Sequence, residues 1–158
     1  MKPRAELVLA SGVLAFALAM AALVFVGDPE RVLSSEGAMS ILAFALPAAL
    51  SAALAAWVLG LKERRARTEN RAWRPGGMTL RVVASSFLMY AILSTFAMLA
   101  LASFEDYSLL RMLREAATFA GLVLGFAIVL GAVPAFVLEY FVCRRYLRRV
   151  AVAISGTA

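Results

Sequence analysis

Apolar positions along this chain gather into four long blocks separated by short polar stretches. The blocks cover residues 7–26, 38–61, 80–104 and 116–142, which is 20, 24, 25 and 27 residues. A helix rises about 1.5 Å per residue, so each block is long enough to cross a hydrocarbon layer of about 30 Å. A segment inside lipid must satisfy its own backbone hydrogen bonds, and a helix does this within one segment. The pattern predicts an all-α, polytopic membrane protein. It is read as a single domain over residues 1–158, with four transmembrane helices arranged as two helical hairpins joined by a basic connector at 62–79.

Composition agrees, since 63 % hydrophobic against 16 % charged residues is more apolar than a soluble domain of this size usually is. The charge pattern adds an orientation. Thirteen of the sixteen Lys and Arg residues lie at the N-terminus, in the connector 62–79, at Arg81 or after residue 142; only Arg31, Arg111 and Arg114 lie in the other two connectors. Positive charge is retained on the cytoplasmic side, so both termini and the middle connector are expected there, in a cell membrane of the bacterial inner-membrane type. Lys2 and Arg4 ahead of Ala17-Leu18-Ala19 also outline a cleaved signal peptide. The apolar stretch runs seven residues further, to Val26, which is longer than a secretory core and favours a retained helix.

Each connector reads as lying outside the hydrocarbon. Gly27-Asp28-Pro29-Glu30 ends the first helix, and Ser34, Ser35 and Glu36 resemble a cap for the second. Residues 105–115 mix Leu109, Leu110, Met112 and Leu113 with five charges and read as a helix extension with a wetted face. The middle connector has six cations against Glu63 and Glu69, and Trp73 suits the headgroup layer ahead of the breakers Pro75-Gly76-Gly77. Arg64, Arg65 and Arg67, with Arg144 and Arg145, are the expected contacts to an anionic inner leaflet. Each cation near such a surface contributes on the order of 1 kcal/mol. Because topology already accounts for this charge and no nucleic-acid-binding fold accompanies it, nucleic acid is not an expected partner.

Within the spans the polar residues carry the information, since each needs a partner in lipid. The third span holds Ser85, Ser86, Tyr90, Ser94 and Thr95, and Ser86, Tyr90 and Ser94 recur every four residues on one face. Glu139 is the one carboxylate well inside a span. If the third and fourth helices pack antiparallel, Glu139 comes level with Ser85, and Glu139, Ser85, Ser86, Tyr90 and Arg81 form a candidate intramembrane polar site. Its functional reading is a proton-coupling or substrate carboxylate; its ordinary reading is an interfacial acid paired with a nearby arginine. Gly121 and Gly125, continued by Gly131, mark a small-residue side for helix packing and for possible homo-oligomers. Pro47 and Pro134 are expected to kink their helices. Their surroundings share composition but not register, so an internal duplication is not inferred.

With no histidine and the single cysteine Cys143, the chain cannot build a histidine-ligated haem, a histidine-rich metal site or an internal disulfide. Cys143 beside Arg144 and Arg145 reads as a small apolar residue at the interface, with acylation as the sharper alternative. No nucleophile–base pair or phosphate-cradling loop can be assembled, so neither catalysis nor a cofactor is expected. The first span lacks the carboxylate that small multidrug-resistance transporters use, and Asp28 and Asp106 lack the motifs of lipoprotein signal peptidases. In length and layout the chain is similar to the small membrane subunits of tripartite periplasmic transporters, with no residue motif carrying the likeness. The function expected is that of a small accessory subunit docked on a larger membrane protein. The alternative is a homo-oligomeric transporter or channel built on the polar face of the third helix and Glu139.

Overall fold

A computed structural model describes residues 2–26, 41–69, 71–102 and 109–155, and all regular structure among them is helical. α1 is Pro3–Val26, α2 is Leu46–Thr68, α3 is Pro75–Ala102 and α4 is Leu109–Ser155, with a π-helical turn at Ile41–Ala45 leading into α2. Four helices are long and apolar enough to cross a membrane, over Pro3–Phe25, Leu46–Thr68, Pro75–Phe96 and Ala127–Ala153. The connector expectations at 27–37, including the cap at Ser34, Ser35 and Glu36, lie outside the described residues.

The helices outrun the apolar blocks that announced them. α2 continues through Lys62, Glu63, Arg64, Arg65 and Arg67, and α3 starts at Pro75, so the connector expected over 62–79 shrinks to the few residues between Thr68 and Pro75. Lys, Arg and Glu are good helix formers, and a helix leaving the lipid has no reason to stop at the last apolar residue. Pro75 suits a first turn because its missing N–H would be unsatisfied there anyway. α4 likewise continues past residue 142 to Ser155. At its other end the helix already includes Leu109–Glu115, where Arg111 and Glu115 pair at i, i+4 with 2.9 Å between them.

The two prolines behave differently. Pro47 lies in the first turn of α2, and the turn before it is π-helical, the wider winding that a proline ring pressing on the preceding carbonyls would favour. One turn on, the Ser51 hydroxyl donates back to the Pro47 carbonyl at 2.6 Å. Pro134 lies inside α4, which runs unbroken on both sides of it.

Each helix packs against two others in a ring, α1 on α2, α2 on α3, α3 on α4 and α4 on α1. The core is concentrated where the start of α1, the end of α2, the start of α3 and the end of α4 meet. It consists of Leu7, Ala56, Leu59, Met78, Val82, Cys143, Tyr146, Leu147 and Val150, with Val8, Trp73 and Val142 packed around it. On α4 the inward residues Cys143, Tyr146, Leu147 and Val150 follow the i, i+3, i+4, i+7 spacing of one helical face, while Arg144, Arg145, Arg148 and Arg149 point outward.

Small residues set how closely α1 and α2 approach. Ala52, Ala56 and Gly60 repeat every four residues on the buried face of α2. A Cβ added at Gly12 would stand 3.4 Å from both the Ala49 carbonyl oxygen and the Ala53 Cβ; one at Gly60 would meet Leu7 Cδ2 at 3.5 Å and Arg4 Cγ at 3.7 Å. The glycines expected to mediate packing, Gly121, Gly125 and Gly131, have nothing within 4 Å of an added Cβ. Among the described residues the close helix approach is made by α1 and α2, not at the glycines of α4.

Gly12→Val is therefore expected to overpack the α1–α2 contact and cost about 1–3 kcal/mol, whereas Gly125→Val changes stability by about 0.5 kcal/mol or less. Unfolding of the detergent-solubilised chain measures both, and equal losses would contradict the assignment of the close contact.

Candidate functional site

Three carboxylates lie along the packed end, each met by a different kind of donor. Glu6, in the first turns of α1, faces α4, where Arg145 Nε is 2.8 Å from Oε1 and Arg149 bonds Oε2. This two-arginine clasp ties α1 to α4 at the rim, where salt weakens it. Glu63 on α2 is fully buried, and its Oε1 accepts from both Arg67 Nε at 2.9 Å and Nη2 at 2.8 Å. Glu63 Oε2 and Arg4 Nε are buried without a hydrogen-bond partner among the described residues.

Glu139 is the one met by neutral donors. It is 4 % exposed, and its Oε1 accepts a 2.7 Å bond from the hydroxyl of Ser11, itself 1 % exposed, on α1. One turn along α4 the Cys143 thiol points at the same oxygen from 3.7 Å, and the Thr79 hydroxyl of α3 adjoins that thiol. Thr79 also donates to the Pro75 carbonyl at 2.9 Å. The cluster Ser11, Glu139, Cys143 and Thr79 thus joins three helices through neutral donors. A buried carboxyl group that keeps a hydroxyl donor avoids the penalty of an orphaned acceptor.

The partners differ from those expected of α3. Among the described residues no hydrogen bond links Glu139 to Ser85, Ser86, Tyr90 or Arg81. The Ser86 hydroxyl donates to the Val82 carbonyl and that of Ser94 to the Tyr90 carbonyl, both at 2.7 Å, and Thr95 donates to Ala91 at the same distance. These hydroxyls are satisfied within their own helix. Tyr90 is buried, Ser85 is half-buried, and the Arg81 guanidinium stacks over Trp73 with 4.2 Å to the ring centroid. Glu139 instead meets α1 because the ring brings α4 against α1 as well as α3.

Ser11, Glu6 and Glu63 are functional-site residues that inspection of the spans passes over. Ser11 had a signal, as the only hydroxyl in the first apolar run. Glu63 had one too, in its i, i+4 relation to Arg67. Cys143 is fully buried, so it is not a free interfacial thiol for acylation. Of the arginines expected at the headgroups, Arg64, Arg65 and Arg144 are exposed, while Arg67 and Arg145 are engaged with Glu63 and Glu6. Among the described residues no three His, Cys, Asp or Glu side chains gather as a metal site.

These features define an all-helical chain with four membrane-span-like helices and a polar cluster buried among three of them. No family model, curated protein or solved structure matches it.

If Ser11 satisfies Glu139, Ser11→Ala alone lowers stability by about 1–2 kcal/mol, because the carboxyl group loses its donor while staying buried. In Ser11→Ala combined with Glu139→Met both polar partners are gone, and the double variant should be more stable than Ser11→Ala alone. Unfolding of the two variants and of Glu139→Met closes the cycle; additive losses would deny the pair.

Proposed function

We propose that the chain is a non-catalytic, multi-pass membrane protein acting as a small accessory subunit of a larger membrane transport or envelope-assembly complex, with its basic end on the cytoplasmic face of a bacterial inner membrane. The observation that carries this reading is the uneven packing. The core is concentrated at one end, while among the described residues nothing lies within 4 Å of a Cβ added at Gly121, Gly125 or Gly131 on α4, and Leu110, Leu113 and Leu122 are exposed. A glycine in a lipid-facing helix costs roughly 1 kcal/mol against alanine and gains nothing unless another backbone comes close. Small residues in a span are the usual means of such an approach. The internally bonded hydroxyls of Ser86, Ser94 and Thr95 weigh against the alternative of a transporter with a polar path along α3.

Extraction of a tagged chain from its native membrane in mild detergent, with native electrophoresis and mass spectrometry of the intact species, tests the proposal. Co-migration with one larger membrane protein at fixed stoichiometry is expected, and Gly121→Leu with Gly125→Leu should abolish it without lowering the unfolding temperature of the isolated chain. A homo-oligomer with no second component would overturn the accessory reading in favour of the transporter.

A further inference from the structure

At the basic end the start of α1, the last turns of α2 and the end of α4 enclose an open-sided hollow of about 1090 Å³. Its polar wall is formed by Lys2, Arg4, Arg64 and Arg67 with Thr68 and Tyr146, and no Asp or Glu lines it. Arg67 is turned toward the buried Glu63 behind the wall. Arg4 and Arg64 hold no ion pair among the described residues, and the Arg4 Nε is buried with no acceptor. The Arg4 guanidinium is held in place instead by the Trp57 ring, 4.9 Å from its centroid, and by its Cγ against the Gly60 position. A positioned guanidinium with unused donors is built to receive an oxyanion.

The remaining lining is apolar and continuous with the bilayer-facing surface. Val8, Leu9 and Trp57 line the hollow, and Leu9 and Trp57 are also about half exposed on the outer faces of α1 and α2, at 56 % and 47 %. One ligand would therefore meet cations at one end and aliphatic and indole surface at the other. The volume is several times what a bare phosphate would fill, and the apolar wall has no use for one.

We propose that this hollow is a specific site for one anionic glycerophospholipid, its phosphodiester held by Arg4 and Arg64 with Lys2 beside them, and one acyl chain lying along Leu9 and Trp57. The site differs from general attraction of the basic end to an anionic leaflet, since Arg144 and Arg148 are exposed cations of that end that do not line it. It is independent of whether the chain serves a larger partner.

Native mass spectrometry of the full chain in mild detergent, with phosphatidylglycerol, phosphatidylcholine or inorganic phosphate added at equal concentration, tests it. The wild type should retain one phosphatidylglycerol, and phosphatidylcholine poorly. Arg4→Gln with Arg64→Gln should lower the lipid-bound fraction on the order of tenfold, while Arg144→Gln with Arg148→Gln, which removes the same charge, leaves it unchanged. Should the first variant unfold at a lower temperature than the wild type, Arg64→Glu, altering an exposed side chain alone, replaces it. Equal loss in both double variants, equal retention of phosphatidylcholine, or displacement of the lipid by inorganic phosphate would each overturn the proposal, the last in favour of a soluble anion.

Discussion

Apolar surface is driven together by its removal from water, and inside lipid that drive is missing. The position of the core follows from this. Leu7, Met78, Tyr146, Leu147 and Val150 lie within a few residues of Glu6, Arg74, Arg81, Arg145 and Arg149, at the end of the bundle where charge and water are present. α2 and α4 carry the helix past their apolar runs by 7 and 13 residues, at 62–68 and 143–155. That corresponds to roughly 10 Å and 20 Å of helix beyond the apolar runs. The core therefore lies at the charged end, and the apolar side chains beyond it, such as Val129 and Val133, are exposed, a surface suited to lipid tails rather than to water.

A core at one end orders the start of α1 most strongly, and α1 in turn places the polar groups. Gly12 and the Ala52, Ala56, Gly60 face let α1 lie close on α2, which sets Arg4 against Trp57 and Gly60, Glu6 beside Arg145 and Arg149, and Ser11 against Glu139. Glu6 and Ser11 are five residues apart, about 7.5 Å along the helix. Over that distance the donor changes from two guanidiniums to a hydroxyl. Charge pairing serves at the rim, where water shares the cost of desolvation, and a neutral donor serves deeper, where a second ion would have to be desolvated too.

The four helices were legible because run length and composition suffice to find a span, and all four runs lie within helices or the turn leading into them wherever the structure describes them. Their ends were not, since a hydropathy run stops at the first cluster of charge and a helix does not. The sequence around Arg144–Arg149 looks like a basic tail until its alternate residues are read as a helical face, whereupon Cys143, Tyr146, Leu147 and Val150 emerge as core. Glu139 was legible as a buried acid needing a partner. Its partner was not, because choosing between α1 and α3 requires knowing that α4 touches both, and that is a property of the ring and not of any local spacing. Gly121 and Gly125 show the converse: the motif is local, whereas what lies against it is not, and among the described residues nothing comes within 4 Å of a Cβ added at either.

The far half of α4 brings these points together. At 47 residues α4 is about 70 Å long, more than twice what a crossing requires. Its C-terminal third alternates core and cation on opposite faces, as a helix packed in water should. Among the described residues of 110–130 that alternation is gone: Leu110, Leu113, Leu122, Ile128 and Val129 are exposed, and Gly121 and Gly125 lie exposed with them. Lipid alone would solvate such a surface equally well with alanine in place of each glycine, and the helix would be the more stable for it. A glycine pair on an apolar helix makes physical sense when a second backbone needs to come within the reach of a missing side chain, and among the described residues nothing lies within 4 Å of a Cβ added at Gly121 or Gly125. The far half of α4 is thus an apolar helix surface whose two glycines gain a physical reason only where a second backbone reaches them.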